Sequence, residues 1–210
     1  MSDAGIRALG FASMDDGEEL ARADLYGLLA RLWLAPPDAA LLTEFQVAVT
    51  EAPEPGGHLE APWQDLVAAM RATTAAQAAQ EYSALFGGVG KPDVFVYGSY
   101  YQAGFLNEKP LAALRTDLAL LGLARDEQAG ETEDHIAFVF EVMRWLIAGD
   151  DIAVCNLEQQ RRFFRAHVQT WVEALCDAVA AHPAAQLTAA LAGLTRAFVE
   201  VEAQAFDMIE

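Results

Sequence analysis

The sequence predicts an all-α fold, a single-domain helical bundle of about nine to eleven helices. Apolar residues recur at intervals of three and four along most of the 210-residue chain, and no stretch of useful length alternates with period two. Proline and glycine separate these periodic segments. The one β-prone run, residues 94–97, is too short to found a sheet.

The chain is predicted to consist of a short N-terminal segment and one helical domain. Residues 1–16 contain several acids, one arginine and no apolar run, so we expect a flexible segment without a secretory signal or transit peptide. Residues 17–210 are numerous enough to bury a sizeable core as one domain. This organisation predicts a cytoplasmic protein.

Capping residues and prolines define the first predicted helices. Residues 17–34 repeat leucine at helical spacing and end before a double proline. A second helix covers residues 38–50, with its first residue, an aspartate, as the N-cap. A third has Pro62 in its first turn, and Thr73 or Thr74 caps a fourth that ends at paired glycines.

The later helices follow from the same signals. A short helix is predicted over residues 99–106, and another over 110–121, with proline at its start and glycine after its end. Residues 132–148 have the clearest amphipathic pattern, with acids in the first turn. An N-x-x-Q capping pattern opens one long helix over 156–180, and Pro183 starts the last helix.

Acidic side chains far outnumber basic ones. The formal net charge is −18, and the only lysines are Lys91 and Lys109. Such a balance opposes sequence-independent binding of nucleic acid or anionic lipid and favours a basic partner. No uninterrupted apolar run approaches the roughly 20 residues that cross a bilayer, so no integral membrane segment is expected.

Motifs for enzyme chemistry are missing. The glycine-rich run 87–91 fails the phosphate-loop pattern, which would need glycine at Leu85 and a hydroxyl at Pro92. No histidine has a glutamate three residues before it, and Cys155 and Cys176 are too few for a zinc site or a disulfide framework. We therefore expect no catalytic residue, no metal site and no cofactor.

Two clusters are candidates for binding. Residues 131–135 form a dense polar stretch before an apolar helix, where acids complement the helix dipole or, alternatively, help to fix a bound peptide. Because the dipole disfavours imidazolium in a first turn, His135 is expected to be neutral beside Asp134. Tyr82 and Phe86, with a leucine between them, form either a core stripe or the wall of a groove.

Four short segments occur in a particular order: E-Y-S-A-L-F at 81–86, Y-G-S at 97–99, E-T-E-D-H-I at 131–136 and F-R-A-H-V at 164–168, before Trp171. Together they resemble the TorD/DmsD/NarJ family of redox-enzyme maturation chaperones. The resemblance covers most of the chain. Its specificity comes from the order and spacing of the segments, because no single segment is specific.

The resemblance implies an all-helical chaperone that binds the apo-form and the twin-arginine signal peptide of a molybdopterin oxidoreductase until the cofactor is inserted. Peptide binding is carried over to the matching positions Tyr82, Leu85, Phe86, Tyr97, Ser99, Glu131, Thr132, Asp134 and His135. Thr132 stands where the family usually has proline, and its hydroxyl can cap the helix instead. Clients in the family include S- and N-oxide reductases, nitrate reductases and formate dehydrogenases, among which the sequence does not choose.

Two other functions stay open from the residues: a generic helical interaction scaffold and an enzyme of unrecognised type. A chaperone should retain a basic and apolar peptide at roughly micromolar affinity, about 8 kcal/mol, whereas a scaffold would ignore it. Asp134→Ala or His135→Ala is expected to weaken this binding without unfolding the protein. The long terminal helices permit a monomer or a domain-swapped dimer.

Overall fold

A computed structural model describes residues 14–47, 56–87, 91–126 and 128–208. In chain order, the helices in these ranges are α1 (Met14–Leu34), α2 (Ala39–Val47), α3 (Glu60–Ala72), α4 (Ala75–Phe86), α5 (Gly98–Ala103), α6 (Lys109–Leu120), α7 (Ile136–Ala148), α8 (Leu157–His167), α9 (Val172–Ala180) and α10 (Leu187–Met208). These ten helices confirm the prediction of an all-α bundle. None of them is long and apolar enough to span a membrane.

Two helix pairings organise the bundle: α1 lies along α7, and α10 packs against both α9 and α3. At the first, a Cβ on Gly27 would lie only 3.0 Å from Cδ of Arg144, so glycine permits the close approach. The ring of Tyr26 is fully buried and meets Phe140 and Phe198 edge-on, at 5.5 and 4.7 Å between centroids. Burial of each such side chain contributes about 1.5–3 kcal/mol.

Local capping signals located several helix starts correctly. Oδ1 of Asp38 accepts the backbone N–H three residues ahead at 2.8 Å. Thr74 caps α4 in a reciprocal capping box with Gln77. The Asn156 side chain accepts the N–H of Gln159 at 3.1 Å at the start of α8. Each cap satisfies a backbone donor that the first helical turn leaves without an intrahelical acceptor.

Other predicted boundaries differ by a few residues or lie outside the described ranges. Helix α1 begins three residues before the predicted position, and residues 1–13 of the predicted N-terminal segment are not described. The same holds for residues 48–50 of the predicted second helix and for residues 88–90 of the predicted glycine turn. Helix α5 ends early because Gly104, with φ of 82°, adopts the left-handed conformation.

The prediction of one long helix over 156–180 is wrong, because a turn separates α8 from α9 and interrupts the helix. The backbone dihedral angles of Trp171, with φ of −149°, lie outside the α-helical range. Its indole N–H donates to the carbonyl of His167 at 2.7 Å, and its ring stacks on Tyr101. This side chain is nearly fully buried, so its packing overrides the local helical pattern.

The last helix begins at Leu187 and not, as predicted, at Pro183. The carboxylate of Glu81, on α4, accepts the backbone N–H groups of Gln186, Leu187 and Thr188 at 2.9, 3.2 and 2.7 Å. A cap that comes from another helix leaves no signal in the neighbouring sequence. The negative charge also complements the positive end of the α10 dipole.

A buried ion pair joins α1 to α10. Nε and Nη2 of Arg22 donate to the two carboxylate oxygens of Glu202, both at 2.8 Å, and the Tyr26 hydroxyl donates to the same group at 3.0 Å. Only 2% of Glu202 is exposed. Because three donors satisfy it, the buried carboxylate is compensated for the loss of water.

Candidate functional site

The candidate residues meet where the end of α4, the extended segment 94–97 and the turn 131–135 come together. The segment and the turn form an isolated antiparallel bridge between Tyr97 and His135. Three backbone hydrogen bonds of 2.9 Å hold the junction, from the N–H of Val94 to Leu85, of Gly98 to Asp134 and of Ile136 to Val96. They bring α4, α5 and α7 to one place.

Asp134 is the polar centre of this junction and is only 3% exposed. Its Oδ2 accepts the backbone N–H of Ser99 at 2.9 Å, at the start of α5. Its Oδ1 accepts the hydroxyl of Thr132 at 2.6 Å. The hydroxyl of Ser99 in turn accepts the N–H of Asn107 at 3.3 Å. Asp134 therefore fixes α5 against the turn before α7.

The predicted start of the amphipathic helix at residue 132 is wrong, since α7 begins at Ile136. Residues 132–135 form a turn that the N–H of His135 closes by donating to the carbonyl of Thr132 at 3.1 Å. The expected capping role of Thr132 is also wrong, because its hydroxyl is bound to Asp134. His135 is the N-cap instead: its Nδ1 accepts the N–H of Ala137 at 3.1 Å.

The His135 ring is neutral, as the sequence predicted, but for a different reason. It is 2% exposed, and burial lowers its pKa to about 4 although the charges of Glu131 and Asp134 act in the opposite direction. Because Nδ1 accepts a backbone N–H, the single proton of the neutral ring is on Nε2. The edge of the Tyr97 ring meets this imidazole at 5.3 Å between centroids.

Tyr97 links the buried His135 to the partly exposed Glu131. Its hydroxyl donates a hydrogen bond to Oε2 of Glu131. Burial, and then this bond, raises the pKa of Tyr97 well above its usual range. In the part of the chain that the structure describes, no cationic side chain forms an ion pair with Glu131. The nearby Glu133, by contrast, accepts two hydrogen bonds from Arg115, at 3.0 and 2.9 Å.

Tyr82 and Phe86 add two aromatic rings. Their centroids lie 4.9 Å apart in an edge-on arrangement, and Phe86 also contacts Trp33. The Tyr82 hydroxyl donates to the carbonyl of Leu34 at 2.8 Å. Burial, together with the negative charge of Glu131, raises the pKa of Tyr82 to about 12.

The nine candidate residues divide into two layers. Four are sealed inside: Leu85, Ser99, Asp134 and His135. Five are partly exposed and form what we call the aromatic–acidic surface: Tyr82, Phe86, Tyr97, Glu131 and Thr132. The structure thus places the nine residues around one junction, and only the second group has exposed surface.

An apolar pocket of about 210 Å³ adjoins the same turn. Phe138 and Val142, four residues apart on α7, form one wall, and Leu118 and Leu123, at the end of α6 and after it, form another. This pocket was not predicted from the sequence, although the helical spacing of Phe138 and Val142 indicates an apolar face. Across the described residues, no three His, Cys, Asp or Glu side chains are grouped to hold a metal ion.

The fold and site define an all-α protein with half-buried aromatic rings beside a carboxylate that has no ion pair among the described residues. The family described as nitrate reductase delta subunit matches residues 53–177, which is more than half of the chain and includes every candidate residue. The chain belongs to this family, which confirms the resemblance to the TorD/DmsD/NarJ chaperones.

Relatives named chaperone protein TorD come from Vibrio cholerae serotype O1, in the strains Classical Ogawa 395, M66-2 and El Tor Inaba N16961. Each is 27% identical to this chain over 136 residues, which are 61% of this chain and 62% of the relative. The chain therefore matches less than two thirds of the length of these relatives.

Proposed function

We propose that this protein is a cytoplasmic chaperone, and not an enzyme, that binds the apo-form and the twin-arginine signal peptide of a molybdopterin oxidoreductase. The family description, nitrate reductase delta subunit, and the relatives named chaperone support this proposal. A twin-arginine signal peptide has a basic end followed by an apolar stretch. Its receptor must offer a carboxylate beside apolar rings.

The aromatic–acidic surface carries the proposal. Glu131 has a neutral partner in Tyr97 and no ion pair among the described residues, so its charge is available to an arginine of the peptide. The partly exposed rings of Tyr82 and Phe86 supply apolar area close to that charge. An arginine guanidinium binds a carboxylate through two parallel hydrogen bonds, which also fixes the orientation of the peptide.

The buried layer positions this surface and does not touch the ligand. Asp134 and His135 are almost fully covered, yet they hold the bridge that sets Tyr97 beside Glu131. The net charge of −18 adds a long-range attraction for a basic segment, which speeds association and weakens as salt is added.

Fluorescence anisotropy with a labelled twin-arginine leader tests the proposal. We expect roughly micromolar affinity, about 8 kcal/mol, and at least about tenfold weaker binding of a leader with both arginines replaced by alanine. Glu131→Gln and Phe86→Ala should each weaken binding of the arginine leader. Glu44→Gln, which removes an exposed acid on α2, is the matched control and should bind like the wild type.

Equal affinity for the arginine and alanine leaders would contradict the proposal, as would full binding by both Glu131→Gln and Phe86→Ala. Far-UV circular dichroism of each variant separates a lost contact from a lost fold. A wild-type protein that ignores both leaders would instead be a generic helical interaction module.

A further inference from the structure

The apolar pocket beside the turn 131–135 has walls from three parts of the chain. They belong to the end of α6, to residues 123–126 with residue 129, and to the first half of α7, and the apolar members are Leu118, Leu123, Ala124, Ala129, Phe138 and Val142. Its volume of about 210 Å³ is large enough for one leucine or phenylalanine side chain. An apolar cavity of this kind binds apolar groups in preference to water.

The pocket and the aromatic–acidic surface flank the same buried imidazole, that of His135. The ring of Phe138, in the pocket wall, lies 5.7 Å from the ring of His135. The centroid of the Tyr97 ring lies 5.3 Å from the centroid of the same His135 ring. Since an extended chain advances about 3.3 Å per residue, a peptide of about four residues reaches from the surface to the pocket.

The charges around the pocket suit a basic segment. Asp126, at the rim, forms no ion pair within the described ranges, and neither does Glu131. Among the described charged groups at the pocket, Glu133 pairs with Arg115, while Arg125 donates to the carbonyl of Ala129 and keeps its positive charge. Two carboxylates therefore remain for cations that arrive next to an apolar side chain.

We propose that this pocket takes one apolar side chain of the signal peptide, a few residues after the arginine pair, while Asp126 and Glu131 face the arginines. The inference rests on the proposed function and deepens it, because it makes the apolar residue a specificity determinant. A leader with two arginines but no large apolar residue at that spacing binds weakly.

Ala124→Trp tests the pocket by filling its rim. Ala124 is exposed, so the larger side chain does not disturb the core. We expect affinity for the arginine leader to fall about tenfold or more, as for the loss of one buried apolar side chain. Ala113→Trp, an equally exposed site on α6, is the matched control and should keep wild-type affinity.

Val142→Thr is a second variant that keeps the shape of the pocket wall but adds a hydroxyl, and it should weaken binding severalfold. A leader whose apolar residues are replaced by serine completes the double-mutant cycle. Wild-type protein should bind this serine leader at least about tenfold more weakly, and Ala124→Trp should lower that affinity no further.

Each outcome separates the two proposals. Wild-type affinity of both Ala124→Trp and Val142→Thr for the arginine leader overturns the pocket assignment and leaves the chaperone proposal standing. Failure of the wild-type protein to prefer the arginine leader over its alanine version overturns both. Loss of binding in Ala124→Trp but not in Ala113→Trp, with unchanged urea midpoints, supports the pocket.

Discussion

Asp134 accepts the backbone N–H of Ser99 at 2.9 Å through one carboxylate oxygen and the hydroxyl of Thr132 at 2.6 Å through the other. A single buried side chain thus connects the start of α5 with the turn before α7. Because the bond to Ser99 lies inside the protein, its N–H cannot turn to water when the carboxylate is removed, whereas the hydroxyl of the partly exposed Thr132 can.

Asp134→Ala should lower the free energy of unfolding by about 1–3 kcal/mol, since the Ser99 N–H loses its acceptor. Asp134→Asn keeps an acceptor for that N–H and should cost less. Urea unfolding measures both, with exposed Asp65→Ala on α3 as the control. This burial revises the expectation that Asp134→Ala would affect peptide binding alone, and wild-type stability of that variant would contradict the structural role.

Stability should fall as the pH drops from 6.5 toward 4, because the unfolded state takes up a proton on His135 before the folded state does. Burial lowers the pKa of His135 to about 4 in the folded protein. The slope from this one group approaches about 1.4 kcal/mol per pH unit, and His167, whose pKa burial also lowers, acts in the same direction.

His135→Asn isolates the contribution of this ring. Asparagine does not titrate and is a good N-cap, so the variant should lose less stability between pH 6.5 and 5 than the wild type does. Urea midpoints at several pH values check this, and exposed His58→Asn serves as the control. Parallel pH profiles for His135→Asn and wild type would refute the assignment.

Glu202→Ala should destabilise the protein by about 1–3 kcal/mol, because the Tyr26 hydroxyl and two guanidinium N–H groups of Arg22 lose their acceptor, although Glu19 still pairs with Arg22. The double variant Arg22→Met with Glu202→Leu should regain most of that loss, since it removes both charges together. The control is Asp207→Ala, which breaks the exposed pair with Arg165 and should cost less than about 1 kcal/mol.

Sequence patterns predicted the structure where the relevant contacts are local. Asp38, Thr74 and Asn156 each bond a backbone N–H three residues ahead, so their spacing alone identifies a helix start. The break at Trp171 and the start at Leu187 depend on groups far away in sequence or on tertiary packing. A pattern of neighbouring residues cannot contain that information.

The candidate site shows the same difference between what neighbouring residues predict and what depends on tertiary packing. Tyr97 and Glu131, which come from two of the family segments, share a hydrogen bond in the structure, and the peptide-binding role of the nine residues stays a prediction. An amphipathic pattern reports which face of a helix is apolar but not what covers it. For that reason the burial of His135 and the open pocket at Val142 emerged only from the folded chain.

Helix α4 presents Tyr82 and Phe86 on the aromatic–acidic surface and, one residue before Tyr82, holds the start of α10 through Glu81. A ligand that immobilises the end of α4 therefore also steadies the carboxylate to which the first amides of α10 are bonded. Hydrogen–deuterium exchange at Gln186 and Thr188 should slow on occupancy, although neither residue touches the ligand. The exchange rate of these two amides therefore reports, from a distance, whether a ligand occupies the aromatic–acidic surface.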